Sequence, residues 1–187
     1  MSAMAAVLVV SATAAEAAHV PSGLPLVVTG IGKTAAAVAT ARALAAYDGP
    51  AGLAGLTVVN VGTAGALRPG MEGLHEVGTV LNHDISADLI RALGHDPQEL
   101  LTLGDGATVL ATGDVFVTDP VVRDRLAATA DLVDMEGYAV AYAARQFGVA
   151  CRLVKHVSDN ADAGAMDWPE LVDRSARALG EWLSASC

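Results

Sequence analysis

The chain has 187 residues, 53% of them apolar, with a mean hydropathy of +0.45 and a formal net charge of −10. That charge argues against binding built on phosphate-backbone neutralisation, which needs clustered Lys and Arg, and an aromatic content of 4% leaves few rings for a base-stacking platform. Much of the apolar content is alanine, which suits close-packed helices, and no apolar run reaches the about 20 residues of a spanning helix.

The length is read as one domain, residues 1–187, with a substantial core. Residues 5–10 resemble the apolar part of a signal peptide, with Ala12-Thr13-Ala14 as a cleavage-like site. However, no Lys or Arg precedes Lys33, so the basic leader is missing. Residues 5–10 are therefore read as a buried first strand, and the protein as cytoplasmic. The two cysteines, Cys151 and Cys187, make no disulfide framework. Cys151 lies in an apolar strand and reads as a small core residue.

In chain order, strands are expected at residues 7–10 and 26–29, then an alanine-rich helix at 34–47, closed by Asp48-Gly49-Pro50. A strand at 57–61 leads into a small-residue turn, Gly62-Thr63-Ala64-Gly65. Further strands follow at 77–81 and 108–111, a helix at 121–128 and a short strand at 132–133. A helix at 136–147 stops at Gly148, a strand spans 150–157, and the last helix is expected over 169–185, with Pro169 in its first turn. Unbroken apolar strands separated by helices indicate an α/β fold, a sheet covered by helices on both faces. Ligands in such folds lie beyond the carboxyl ends of the strands. Glu16, Thr63, Phe116, Glu136 and Asp159 all follow an expected strand closely, so one cleft can collect them.

Gly30-Ile31-Gly32-Lys33-Thr34-Ala35 fits a GxGxxA pattern, but Asp48, the nearest candidate for the ribose-binding acid, sits at a helix end. A tight strand-to-helix turn is favoured over nucleotide binding. The turn at 62–65 offers backbone N–H groups and the Thr63 hydroxyl to a water or an anion, or is a plain turn. His19, His75, His83, His95 and His156 are scattered, so no metal constellation is read. His83-Asp84 offers a site pair, but a surface histidine or one supporting a site is the favoured reading. Ser158 has no histidine in a triad-like context. Trp168 and Trp182 are read as packing anchors.

Six pieces occur in order: Val9-Val10-Ser11-Ala12 followed by Glu16; Thr29-Gly30-Ile31-Gly32-Lys33; Asn60-Val61-Gly62-Thr63-Ala64-Gly65-Ala66-Leu67; Thr112-Gly113-Asp114-Val115-Phe116; Val133-Asp134-Met135-Glu136-Gly137; and Ser158-Asp159-Asn160-Ala161-Asp162. Together they resemble the nucleoside phosphorylase and nucleosidase superfamily, in particular the methylthioadenosine/S-adenosylhomocysteine nucleosidases. Singly, Glu16 reads as a solvated residue at a helix start, Glu136 as a helix-dipole partner and Asp159 as a helix cap.

The resemblance implies hydrolysis of a purine nucleoside's N-glycosidic bond. Asp159 would be the acid near N7 of the base, and Glu16 would deprotonate the attacking water. Glu136 would hold the ribose hydroxyls with Met135 against the sugar. Phe116 would stack on the base while the Val117 backbone reads its edge, with Thr63 and Ser158 lining the site. No cofactor or metal is implied. The family commonly dimerises, so a homodimer is expected, with partner residues completing the pocket for the 5′ substituent. The related phosphorylases carry phosphate-binding arginines where Glu16 and Asn60 stand here, which favours water as nucleophile over phosphate. The stretch between His83 and Thr112 is short and lacks an aromatic, so futalosine is kept as an alternative substrate. A dinucleotide-dependent oxidoreductase and a non-catalytic nucleoside-binding protein are the competing classes.

Overall fold

The computed structural model describes residues 6–49 and 52–187. Ala5 of the expected first strand and Pro50 of the helix stop lie outside them. Eight strands and five helices follow in chain order: β1 (Ala6–Ser11), β2 (Leu26–Val28), α1 (Lys33–Ala45), β3 (Leu56–Ala66), β4 (Leu74–Asn82), α2 (Ala87–Ala92), β5 (Leu100–Thr102), β6 (Thr108–Thr112), α3 (Pro120–Leu126), β7 (Leu132–Asp134), α4 (Gly137–Gln146), β8 (Ala150–Asp159) and α5 (Trp168–Ser186). The expected strands and helices all form. Two elements were not foreseen, α2 and β5, both in the stretch between His83 and Thr112.

The sheet is mixed and closes on itself. β3 pairs parallel with β1 along Leu56–Asn60 and with β8 along its other edge, while its last residues, Gly65 and Ala66, pair antiparallel with β7. β8 also pairs with β4, β4 with β6, and β6 with β7. These pairings make a ring of β3, β8, β4, β6 and β7, with β1 and β2 extending it as a wing. Closure requires β3 to be long. Gly62-Thr63-Ala64-Gly65 is therefore strand, which corrects the expected turn. Small residues permit this, because side chains crowd that end of β3: those of Glu16 and Lys155 at Gly62, and those of Asp159, Ala161 and Val133 at Gly65.

Helices cover both faces of the wing. Alternating side chains separate there: Leu8, Val10 and Val58 meet Ala36 and Leu44 of α1 and Ala139, Val140 and Ala144 of α4, while Val9, Val59, Val61 and Val154 meet Leu179 and Leu183 of α5. The many alanines serve close approach, as Ala36 and Ala144 are fully buried where α1 and α4 pack. Cys151 is packed between two core clusters, and burial pushes its thiol up to about 12, so it is inert as expected. Among the described residues no helix is long and apolar enough to cross a membrane.

Candidate functional site

Loops at the carboxyl ends of β1, β6, β7 and β8 converge with the far end of β3 on a cleft of about 310 Å³. This is the lower end of the range for small-molecule sites. All eight residues singled out in the sequence line it: Glu16, Thr63, Phe116, Val117, Met135, Glu136, Ser158 and Asp159.

Glu16 is buried in a helical turn after β1 rather than solvated at a helix start. Its Oε1 accepts from the Thr63 amide at 2.8 Å and the Thr63 hydroxyl at 2.8 Å. Its Oε2 accepts from the Thr13 hydroxyl at 3.0 Å. The donors expected at residues 62–65 thus do hold an anion, and that anion is this chain's own carboxylate. Gly62 makes room, since a Cβ there would lie 3.2 Å from Glu16 Oε1. Oε1 is filled by two donors while Oε2 has one, so Oε2 keeps a lone pair for a ligand.

Asp159 is placed by a β-bulge. Ala64 pairs with Val157 but Gly65 with Asp159, which leaves Ser158 as the extra residue. Bulges bend a strand and re-aim its side chains. Asp159 Oδ1 then accepts from the Ala161 amide at 2.8 Å and Oδ2 from the Ser158 hydroxyl at 2.7 Å. Asp159 therefore closes a tight turn and caps no helix. Asp162 does that for the 3-10 turn Ala163–Asp167 that follows. Gly65 lies directly beneath, where a Cβ would come 3.0 Å from Asp159 Oδ1.

Glu136 occupies the N-cap position of α4 but does not cap it. Its Oε1 accepts from Gly32 N at 2.7 Å, across the cleft wall. Gly30 and Gly32 have φ of 88° and 96°, a left-handed turn that favours glycine. The strand-to-helix turn reading of this GxGxxA segment holds, and two of its N–H groups are committed to carboxylates, Gly32 to Glu136 and Lys33 to Asp114.

Burial, and next the Asp134 carboxylate, push Glu136 up to about 7, against the opposing Gly32 N–H and Lys155. An acid whose folded pKa is raised contributes stability below its unfolded value of 4.5 and loses it as pH rises through about 7. Glu136→Gln is therefore expected to raise stability at pH 8 by roughly 2–3 kcal/mol and by much less at pH 5. Urea unfolding at the two pH values checks this, and equal gains at both would remove the Glu136 charge as the cause.

Sequence reasoning missed Lys155 and Asp134. Lys155 is 1% exposed on β8. Its Nζ lies 2.9 Å from Asp134 Oδ2 and 2.7 Å from Asn60 Oδ1. Asp134 also accepts from the Thr112 hydroxyl at 2.5 Å and Gly137 N at 2.8 Å, so it holds the first turn of α4. Asn60 also donates to Val10 O at 3.0 Å, so both its amide nitrogen and its oxygen are engaged. The only sequence signal was a lysine inside an apolar strand.

Trp168 also departs from expectation. It lines the cleft and donates to Thr63 Oγ1 at 2.9 Å. Trp182 is a packing anchor as expected, set against the α5 core and beneath Arg152. His83 and Asp84 lie outside the cleft lining, with Asp84 paired to Lys33. Among the described residues no group of three or more His, Cys, Asp or Glu side chains is gathered for a metal.

The sequence model of the phosphorylase superfamily matches residues 92–185, half of the chain. The aminodeoxyfutalosine nucleosidase of Helicobacter pylori is 36% identical over 80 residues, which cover 41% of this chain and 35% of that protein. The match thus spans about a third of that relative's length. A 5′-methylthioadenosine/S-adenosylhomocysteine nucleosidase of a Shewanella species is 28% identical over 173 residues, covering 75% of this chain and 71% of that protein. Among solved structures, the 5′-methylthioadenosine/S-adenosyl homocysteine nucleosidase of Helicobacter pylori superposes with a TM-score of 0.80 at 21% identity, covering 96% of each chain. That likeness bears on the fold, which is the expected mixed α/β sheet with helices on both faces.

Proposed function

We propose, for a chain that belongs to the phosphorylase superfamily, that this cleft hydrolyses the N-glycosidic bond of a purine nucleoside of the 5′-methylthioadenosine/S-adenosylhomocysteine type. One observation carries the choice of water over phosphate. Glu16, Glu136 and Asp159 line the cleft, and among the described residues no Lys or Arg does. A phosphate dianion would face repulsion there, whereas a cationic sugar would be stabilised.

The mechanism parallels glycoside hydrolysis, with one carboxyl group at the leaving group and another at the water. Asp159 donates a proton to N7 of the base as the bond to C1′ breaks. Because the Ala161 amide can only donate, Oδ1 stays an acceptor and Oδ2 carries that proton, with the Ser158 hydroxyl turning to release it. Glu16 Oε2 removes a proton from water as the oxygen bonds to C1′. Glu136 accepts from the ribose hydroxyls, Met135 packs on the sugar, Phe116 stacks on the base and the Val117 backbone meets its edge. The products are free base and the ribose moiety.

A futalosine-type substrate is the second reading, supported by the aminodeoxyfutalosine nucleosidase relative. The same reading places the protein in the cytoplasm as a homodimer. Ile31, Val115, Phe116 and Met166 are exposed apolar residues lining the cleft that a second copy would cover. Sedimentation showing only monomer at micromolar concentration would remove the dimer.

The deciding experiment is a panel of methylthioadenosine, adenosylhomocysteine, futalosine, adenosine and inosine, with and without phosphate, reading free base by chromatography. Base release is expected without phosphate, and Glu16→Gln is expected to slow it about 100-fold, the lower end for loss of a general base. Strong acceleration by phosphate would make the protein a phosphorylase. Tight binding without release would make it a nucleoside-binding protein, and tight NAD(P)H binding without release an oxidoreductase.

A further inference from the structure

Trp168 stands at the junction of the 3-10 turn Ala163–Asp167 and α5, and it is 105 residues from Thr63 in sequence. The direction of every hydrogen bond between it and Glu16 follows from the donor inventory. An indole N–H can only donate, so Thr63 Oγ1 must accept from Trp168 Nε1 at 2.9 Å. The hydroxyl has a single proton, and its other partner is the acceptor Glu16 Oε1 at 2.8 Å. That proton is therefore held on Glu16. A threonine hydroxyl without the indole could rotate toward other acceptors.

From these contacts we infer that Trp168 is a positioning residue for Glu16, acting through Thr63. This rests on the reading of Glu16 as general base. The relay fills Oε1 with the Thr63 hydroxyl and amide, and it leaves Oε2 to take the proton from water. It also joins the two ends of the site. The segment that starts at Asp159 ends at Trp168, so the stretch carrying the proton donor also braces the base. The brace is anchored, because α5 is held by Leu179 and Leu183 in the core and by the His19–Asp173 contact at 3.0 Å. Gly180 adds to this, as its Cα packs so closely on His19 that a Cβ would meet the His19 carbonyl oxygen at 2.3 Å.

Trp168→Phe keeps an aromatic wall and removes only the donor. It is expected to lower kcat about three- to tenfold, the effect of one hydrogen bond, with KM nearly unchanged. In a Thr63→Val background the same change is expected to add nothing, and Thr63→Ser is expected to keep the coupling. Additive effects of Trp168→Phe and Thr63→Val, or a rise in KM with kcat unchanged, would overturn the relay and leave Trp168 as a wall. A second readout needs no turnover. The chain has two tryptophans, and the indole N–H signal that Trp168→Phe deletes is thereby assigned. In Thr63→Val that signal is expected to shift and to exchange faster with solvent. An unmoved signal overturns the relay even in a fully active enzyme. A wild-type protein that releases no base overturns the hydrolase reading instead, so the two failures are distinguishable.

Discussion

Asp159→Asn is expected to lower base release about 1,000-fold or more while the fold persists. An adenine or hypoxanthine anion is a poor leaving group, so cleavage depends on a proton reaching the base, and general acid catalysis contributes up to about 10⁴-fold. The amide cannot supply that proton. It can still accept from the Ala161 amide, so the turn at the end of β8 survives. The bulge that aims the side chain is a backbone feature and remains. Single-turnover base release, with unfolding curves for both proteins, checks this. Asn at near wild-type rate would remove Asp159 from the acid's role. A large loss of stability would instead make it a turn residue.

Lys155→Met is expected to cost about 3–5 kcal/mol of stability, the usual result of removing one partner of a buried ion pair. The Met side chain fills most of the volume but leaves Asp134 buried without its cation, close to Glu136 and Glu16. Burial alone would push the Lys155 ammonium down, but Asp134, Glu136 and Glu16 outweigh it and hold it above the usual lysine value. A raised lysine pKa gives stability that is full below the unfolded value and lost only as pH rises through the folded one. The pair therefore contributes throughout the neutral range. For a chain of this length the thermal midpoint should fall by about 6–20 °C. Adding Asp134→Asn should recover part of the loss, because the stranded charge goes with it. A loss under about 1 kcal/mol, or no recovery in the double variant, would show that the charges do not hold this site together.

Glu16, Glu136 and Asp159 were legible as a set because each follows an apolar strand, and ligands of α/β sheets lie beyond the carboxyl ends of the strands. Phe116 was legible as a cleft residue from its place after a strand, but its expected role, and Val117 altogether, came only through the order of short motifs. The turn expected at Gly62-Thr63-Ala64-Gly65 shows the limit. Small residues signal close approach, but whether that approach makes a turn or a crowded strand depends on what packs against it. Here β8, β7 and the carboxylates of Glu16 and Asp159 do.

Periodicity, turn chemistry and motif order, all read within short windows of chain, were enough for the element types, the α/β class and the acids at the strand ends. Long-range pairing decided the rest. The ring closes because β3 outruns β1 and reaches β7. The Ser158 bulge exists only in register with β3. Lys155 is a tolerable core residue only because Asp134, 21 positions earlier, is folded against it. Trp168 can brace Glu16 only because α5 folds back over β3. A buried charge or donor is stable only beside its partner, and a partner distant in sequence leaves no mark in the local pattern.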